Sequence, residues 1–163
     1  MKFVSKSLKD TQKFAEEFLK RLGTFAKSDL VTQSTTSQKL KACVVLLQGD
    51  LGSGKTTFTQ ALARALGIKE NLTSPTFVLM KSYKISKETT QRLNLSVKNL
   101  VHIDAYRLTS GQDLKNLGWD ELVANPDNLI VVEWPEQVAD LWTGTEQKLK
   151  FKFIDEQTRE IQD

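Results

Sequence analysis

The chain has one cysteine, one histidine, three prolines and no long hydrophobic stretch among its 163 residues. A lone thiol, Cys43, rules out an internal disulfide, and its place inside an apolar run makes it a buried side chain with no assigned chemistry. The longest apolar run, Ala42 to Leu47, has six residues, against about 20 for a membrane-crossing helix. Behind the charged opening residues Lys2, Lys6, Lys9 and Asp10 comes no apolar segment of the secretory kind. A cytoplasmic location without membrane attachment is therefore expected. Charge is nearly balanced: 23 basic against 20 acidic side chains leave +3. The lysines are scattered along the chain and offer no track for direct nucleic-acid binding. The five arginines, Arg21, Arg64, Arg92, Arg107 and Arg159, form no cluster. That disfavours a small kinase, whose lid needs arginines to clamp the transferred phosphoryl group.

What is present suits one folded domain over 1–163: 39% hydrophobic and 26% charged residues, at a length that one core can serve. Phe14, Ala15, Phe18, Leu19 and Leu22 recur at helical spacing from about Asp10, with Gly23 as the expected stop. The stretch 27–41 is polar and aperiodic and reads as an inserted loop, as does 86–98. Ala42 to Gln48 is an unalternated β-branched run, the habit of a strand covered on both faces in a parallel sheet. Lys55 to Leu66 has helix composition ending at Gly67. Thr76 to Ile85 alternates as a half-buried strand, Leu100 to Asp104 and Leu129 to Glu133 are short apolar runs, and Leu149, Phe151 and Phe153 alternate with lysines. Pro135 is placed to open a helix carrying Val138, Leu141 and Trp142, and 155–163 reads as a tail. The expected fold is three-layer α/β with a mainly parallel central sheet.

Gly49 to Thr56 reads GDLGSGKT, which satisfies G-x-x-x-x-G-K-[ST] at every fixed position. A chance match in a chain of this length has a probability of roughly half a per cent. Gly49, Gly52 and Gly54 permit close approaches that a Cβ would block, so successive amides, Ser53 among them, can surround a phosphate. Lys55 supplies a point charge to the β and γ phosphates, Thr56 a hydroxyl ligand for magnesium, Thr57 support for the α-phosphate, and the following helix its positive end. A nucleoside di- or triphosphate with Mg2+ is the expected ligand.

Phosphate-loop hydrolases also place an acid at the end of a neighbouring apolar strand. Two qualify. Glu133 ends LIVVE and is the first choice for the metal, with Thr56; Asp104 ends LVHID and is assigned to orienting the attacking water or to supporting the metal from behind. Thr73 to Thr76 (TSPT) lie where nucleotide switches carry a hydroxyl that senses the γ-phosphate. His102, mid-strand, reads as a satisfied core residue. Trp119 and Trp134 read as core anchors, Trp134 at the rim of the site beside Glu133.

In this order, GDLGSGKTTFTQALARALGI, LTSPTFVLMKSY, HIDAYRL, LGWDEL and VVEWPEQV resemble the TsaE family of bacterial P-loop ATPases, over about Leu8 to Val138. The resemblance implies a weak ATPase that binds ATP or ADP with Mg2+. It further implies work with TsaB and TsaD in forming threonylcarbamoyladenosine in tRNA, with tRNA met only through the complex. By position it implies Asp104, Lys55 and Glu133 as the catalytic set. The implied nucleotide site is Thr11, Gly52, Ser53, Gly54, Lys55, Thr56, Thr57, Thr76, Trp134 and Arg159, and the implied magnesium pair is Thr56 with Glu133. Ser53 departs from the family's usual alanine. The competing readings are a small-molecule or nucleotide kinase on the same scaffold, and an interaction module that nucleotide merely stabilises.

Overall fold

A computed structural model describes residues 2–32, 41–70, 72–73, 75 and 78–163. In chain order the strands are β1 (Lys2–Ser5), β2 (Cys43–Gln48), β3 (Met80–Lys84), β4 (Asn99–Asp104), β5 (Asn128–Glu133), β6 (Gln147–Phe153) and β7 (Arg159–Gln162). The helices are α1 (Leu8–Thr32), α2 (Lys55–Ala65), α3 (Lys87–Leu93), α4 (Gly111–Asn116), α5 (Trp119–Ala124) and a 3-10 helix at Pro135–Leu141. The strands form one sheet in the order β1-β7-β6-β2-β5-β4-β3. Its centre, β6-β2-β5-β4, is parallel, and β1, β7 and β3 are attached antiparallel.

The central strands are aliphatic on successive residues because helices cover both faces. On one face Phe14 and Phe18 of α1 and Phe58 and Leu62 of α2 pack over Val45, Leu47, Leu129, Val131, Leu149 and Phe151. Phe58 is the hub, with ring centroids 5.7 Å from Phe14, 5.7 Å from Phe18 and 5.6 Å from Phe151; full burial of such a ring contributes about 1.5–3 kcal/mol. On the other face Leu114, Trp119 and Val138, from α4, α5 and the 3-10 helix, cover Val44, Leu46, Val101, Ile103, Ile130 and Val132. The three-layer α/β arrangement with a mainly parallel core is thus observed.

Side chains alternate faces along a strand. Leu100, Val131 and Leu129 belong to the α1/α2 face, so His102, Asp104 and Glu133 project on that face too, each at or near the end of its strand. In register, Leu47 pairs with Glu133 and Glu133 with Asp104. The alternation therefore delivers two carboxylates level with the end of β2, where the glycine loop begins.

Several elements differ from expectation. Gly23 does not end α1, which continues to Thr32. An interior glycine costs a helix only about 1 kcal/mol, and no proline follows to break the chain. The stretch 27–41 is thus helical as far as Thr32, and 33–40 lie outside the described residues. The polar segment 86–98 holds α3, because the Ser86 hydroxyl accepts from the Thr89 N–H and Asn94 closes the helix in the left-handed conformation (φ 54°). The strand expected over 76–85 begins only at Met80: Val78 and Leu79 turn back onto the Pro75 carbonyl, with Leu79 at φ 63°. The helix opened by Pro135 is 3-10, kinked at Val138. The expected tail 155–163 contains β7, held between β1 and β6.

Candidate functional site

β2 runs straight into the glycine loop, and α2 begins at Lys55. Gly49 stands at φ 151°, and a Cβ there would lie 2.4 Å from the Phe151 carbonyl oxygen, so no other residue fits. Gly54, at φ 103°, takes the N-cap position of α2 and offers no side-chain acceptor to its first amides. Those amides and the positive end of an 11-residue helix are left for an anion.

Lys55 is only 4% exposed. Its Nζ donates to the carbonyls of Gly49 (2.5 Å) and Asp50 (3.0 Å) and sits 3.8 Å from the centroid of the Trp134 ring. Burial lowers the pKa of this ammonium group, against the opposing influence of Glu133, Glu136, Asp104 and Asp50. Trp134 adopts φ 59°, ψ 48° directly before Pro135, a conformation unfavourable for a non-glycine and doubly so ahead of proline. Tyr106 packs against the same indole in a tilted arrangement, at 5.0 Å between ring centroids.

The Thr56 hydroxyl donates to Glu133 Oε2 at 2.9 Å. Glu133 is buried (2% exposed), and its Oε1 lies 2.8 Å from His102 Nε2. Asp104, also buried, accepts from the Tyr106 N–H on Oδ1 at 3.0 Å. Among the described residues no group of three or more His, Cys, Asp and Glu side chains could hold a metal alone. Mg2+ needs no such cage, since it keeps waters and takes one or two protein oxygens plus substrate phosphates. Two hard oxygens 2.9 Å apart match the spacing of neighbouring ligands around an octahedral ion with ~2.0–2.1 Å bonds, about 2.9 Å. The pair Thr56 and Glu133 therefore fits Mg2+.

These groups line one cavity of about 870 Å³, within the usual range for ligand sites of roughly 300–1,000 Å³. It is lined by Gly52, Ser53, Gly54, Lys55, Thr56, Thr57, Asp104, Glu133 and Trp134, and by Thr11 and Arg159 as well. Thr11, at the start of α1, has its hydroxyl 2.8 Å from that of Ser5. Arg159, on β7, donates from Nε to the Gly52 carbonyl at 3.0 Å and stacks over Phe153. Residues more than a hundred positions apart thus border one cleft. Thr76, expected at the γ-phosphate end, lies outside the described residues.

Ser53 is fully buried in the loop, and its hydroxyl has no hydrogen-bond partner among the described residues. Ser53→Ala should therefore stabilise the protein by about 1 kcal/mol, because it removes an uncompensated polar group. At this size that is a rise in melting temperature of about 2–4 °C, readable by calorimetry. A fall in melting temperature would show that the hydroxyl is satisfied.

The model of the family described as threonylcarbamoyl adenosine biosynthesis protein TsaE matches residues 5–161. The chain belongs to the TsaE family. Relatives named tRNA threonylcarbamoyladenosine biosynthesis protein TsaE include those of Streptomyces coelicolor, 40% identical over 67% of this chain and 66% of that protein, and of Rickettsia felis, 36% identical over 71% of this chain and 61% of that one. The chain thus spans less than two thirds of the length of these relatives. The crystal structure of Bacillus subtilis YdiB superposes with a TM-score of 0.65 at 26% identity, covering 99% of this chain and 82% of that one.

Within this TsaE-family chain, two residues that sequence reading did not assign to the site are His102, which contacts Glu133, and Tyr106, which lines the cavity. The two-residue spacing of His102 and Asp104 was the available signal, since it puts both on one face of a strand. Tyr106 left none, for its contact with Trp134 depends on two loops meeting. Arg107 is exposed on the surface and is not among the residues lining the cavity.

Proposed function

We propose that this chain binds ATP or ADP with Mg2+ in the cleft, hydrolyses ATP slowly, and serves threonylcarbamoyladenosine formation in tRNA together with TsaB and TsaD. The observation that carries the nucleotide reading is the 2.9 Å contact between Thr56, at the first turn of α2, and the strand-end Glu133. It joins the glycine loop to a carboxylate 77 residues away, which supports a site for a metal-bound polyphosphate. Loop amides and the α2 end would bind the phosphates, and Lys55 would exchange its Gly49 and Asp50 carbonyls for phosphate oxygens. Thr56 and Glu133 would hold Mg2+, which when bound neutralises charge on the β and γ phosphates. Asp104, fixed by the Tyr106 N–H, is the base that orients the attacking water. Trp134 and Tyr106 form an aromatic wall beside the reacting phosphate. Arg159 is the one arginine among the lining residues, which does not suit a kinase lid. The part in tRNA modification follows from family membership.

Two measurements test this reading. Calorimetry with ADP is expected to show binding strengthened by Mg2+, with Glu133→Gln losing most of that strengthening. A tagged chain incubated in lysate with ATP is expected to retain TsaB and TsaD. No heat at millimolar Mg-ADP would refute the nucleotide site. Good binding with neither partner recovered would refute the assembly.

A further inference from the structure

We propose that His102 is a positioning residue for Glu133, an assignment that rests on Glu133 and Thr56 holding the divalent ion. The two oxygens of Glu133 are divided between different partners: Oε2 accepts from the Thr56 hydroxyl at 2.9 Å, and Oε1 faces His102 Nε2 at 2.8 Å. The contact is built into the sheet. His102 on β4 is level with Val131 on β5, and Glu133 lies two residues further along the same face. A carboxylate carries no hydrogen, so the imidazole must donate, which puts its proton on Nε2.

The other ring nitrogen confirms the direction. His102 is fully buried, and Nδ1 has no hydrogen-bond partner among the described residues. A bare lone pair in that place costs less than a stranded N–H would, so a proton on Nε2 and none on Nδ1 is the arrangement that fits both nitrogens.

Stability does not account for this pair. A buried polar couple desolvates both members and is often no better for folding than an apolar pair of the same volume. Its effect is geometric. The last torsion of a glutamate is soft and roughly two-fold, so an unrestrained Glu133 would turn its oxygens away from Thr56. Anchoring Oε1 fixes the plane of the carboxylate, keeps Oε2 over the first turn of α2, and withholds Oε1 from the ion. Loss of such an outer partner typically weakens metal binding about 10–100-fold.

The test is the Mg2+ dependence of ADP affinity in the full chain, for wild type, His102→Gln, His102→Asn and His102→Leu. Affinity in EDTA is expected to stay within about twofold throughout. The Mg2+ concentration giving half of the enhancement should rise about 10–100-fold in His102→Asn and His102→Leu. It should return to within about threefold of wild type in His102→Gln, whose amide nitrogen reaches the place of Nε2 while that of asparagine does not. Wild-type Mg2+ dependence in the asparagine and leucine variants would overturn the role of His102 alone. A wild type indifferent to Mg2+ would overturn the metal reading and this assignment with it. Should the leucine variant not fold, 15N NMR of the wild-type imidazole decides: a proton on Nε2 supports the assignment, and one on Nδ1 overturns it.

Discussion

Lys55→Ala is expected to weaken ATP and ADP binding by about 100-fold or more, and to lower the rate of hydrolysis further still. The ammonium group is nearly enclosed, and its present partners are two backbone carbonyls and an aromatic face. Charge-assisted contacts to phosphate at such a site are each worth about 1.5–3 kcal/mol, and 1.4 kcal/mol is tenfold in affinity. Any extra stabilisation of charge developing on the γ-phosphate is lost as well, about 10²–10³-fold where a single donor has been removed from a comparable site. Calorimetry and phosphate release measure the two losses, and a melting curve controls for the carbonyls left without their donor. Lys55→Arg should not restore binding, because a planar fork does not replace a point charge in this loop.

The pH dependence has a definite sign. Burial holds the Lys55 pKa in the free protein below its ordinary value, and a polyphosphate in contact would raise it. Between those two values the complex holds a proton that the free protein lacks. Binding there takes up protons, so affinity falls as pH rises through that alkaline window. Calorimetry in buffers of different ionisation enthalpy detects the uptake. Proton release on binding would contradict the contact between Lys55 and phosphate.

Asp104→Asn should reduce hydrolysis by about 10²–10⁴-fold while nucleotide affinity changes only a few-fold. Asparagine keeps the shape and the acceptor for the Tyr106 N–H but loses the charge that draws a proton from water. Single-turnover phosphate release with the partner proteins present is the appropriate assay, since the isolated chain is expected to be slow. If this variant instead lost the Mg2+ enhancement and Glu133→Gln retained it, the roles of the two carboxylates would be exchanged.

The glycine loop and the helix after it were legible because their geometry is local: glycines, lysine and threonine stand within eight consecutive residues, and the backbone angles there need the glycines. The central strands were equally plain, since an unalternated aliphatic run has few other uses. Glu133 and Asp104 were found as strand-end acids, with Glu133 ranked first only because its strand is the more apolar. Which one meets Thr56 is answered only by the packing of α2 over β5. The same limit explains α3, where a short serine-capped helix hid in a polar segment, and β7, whose four residues have little pattern until β1 and β6 flank them. Arg159 came into the cleft only through that pairing.

Local composition thus specified which groups could grip a phosphate, for those propensities and charges act over a few bonds. The joining of Thr11, His102, Glu133 and Arg159 to them is a matter of folding, because burial of the Phe14, Phe58 and Phe151 cluster and strand registry bring together positions that nothing along the chain connects.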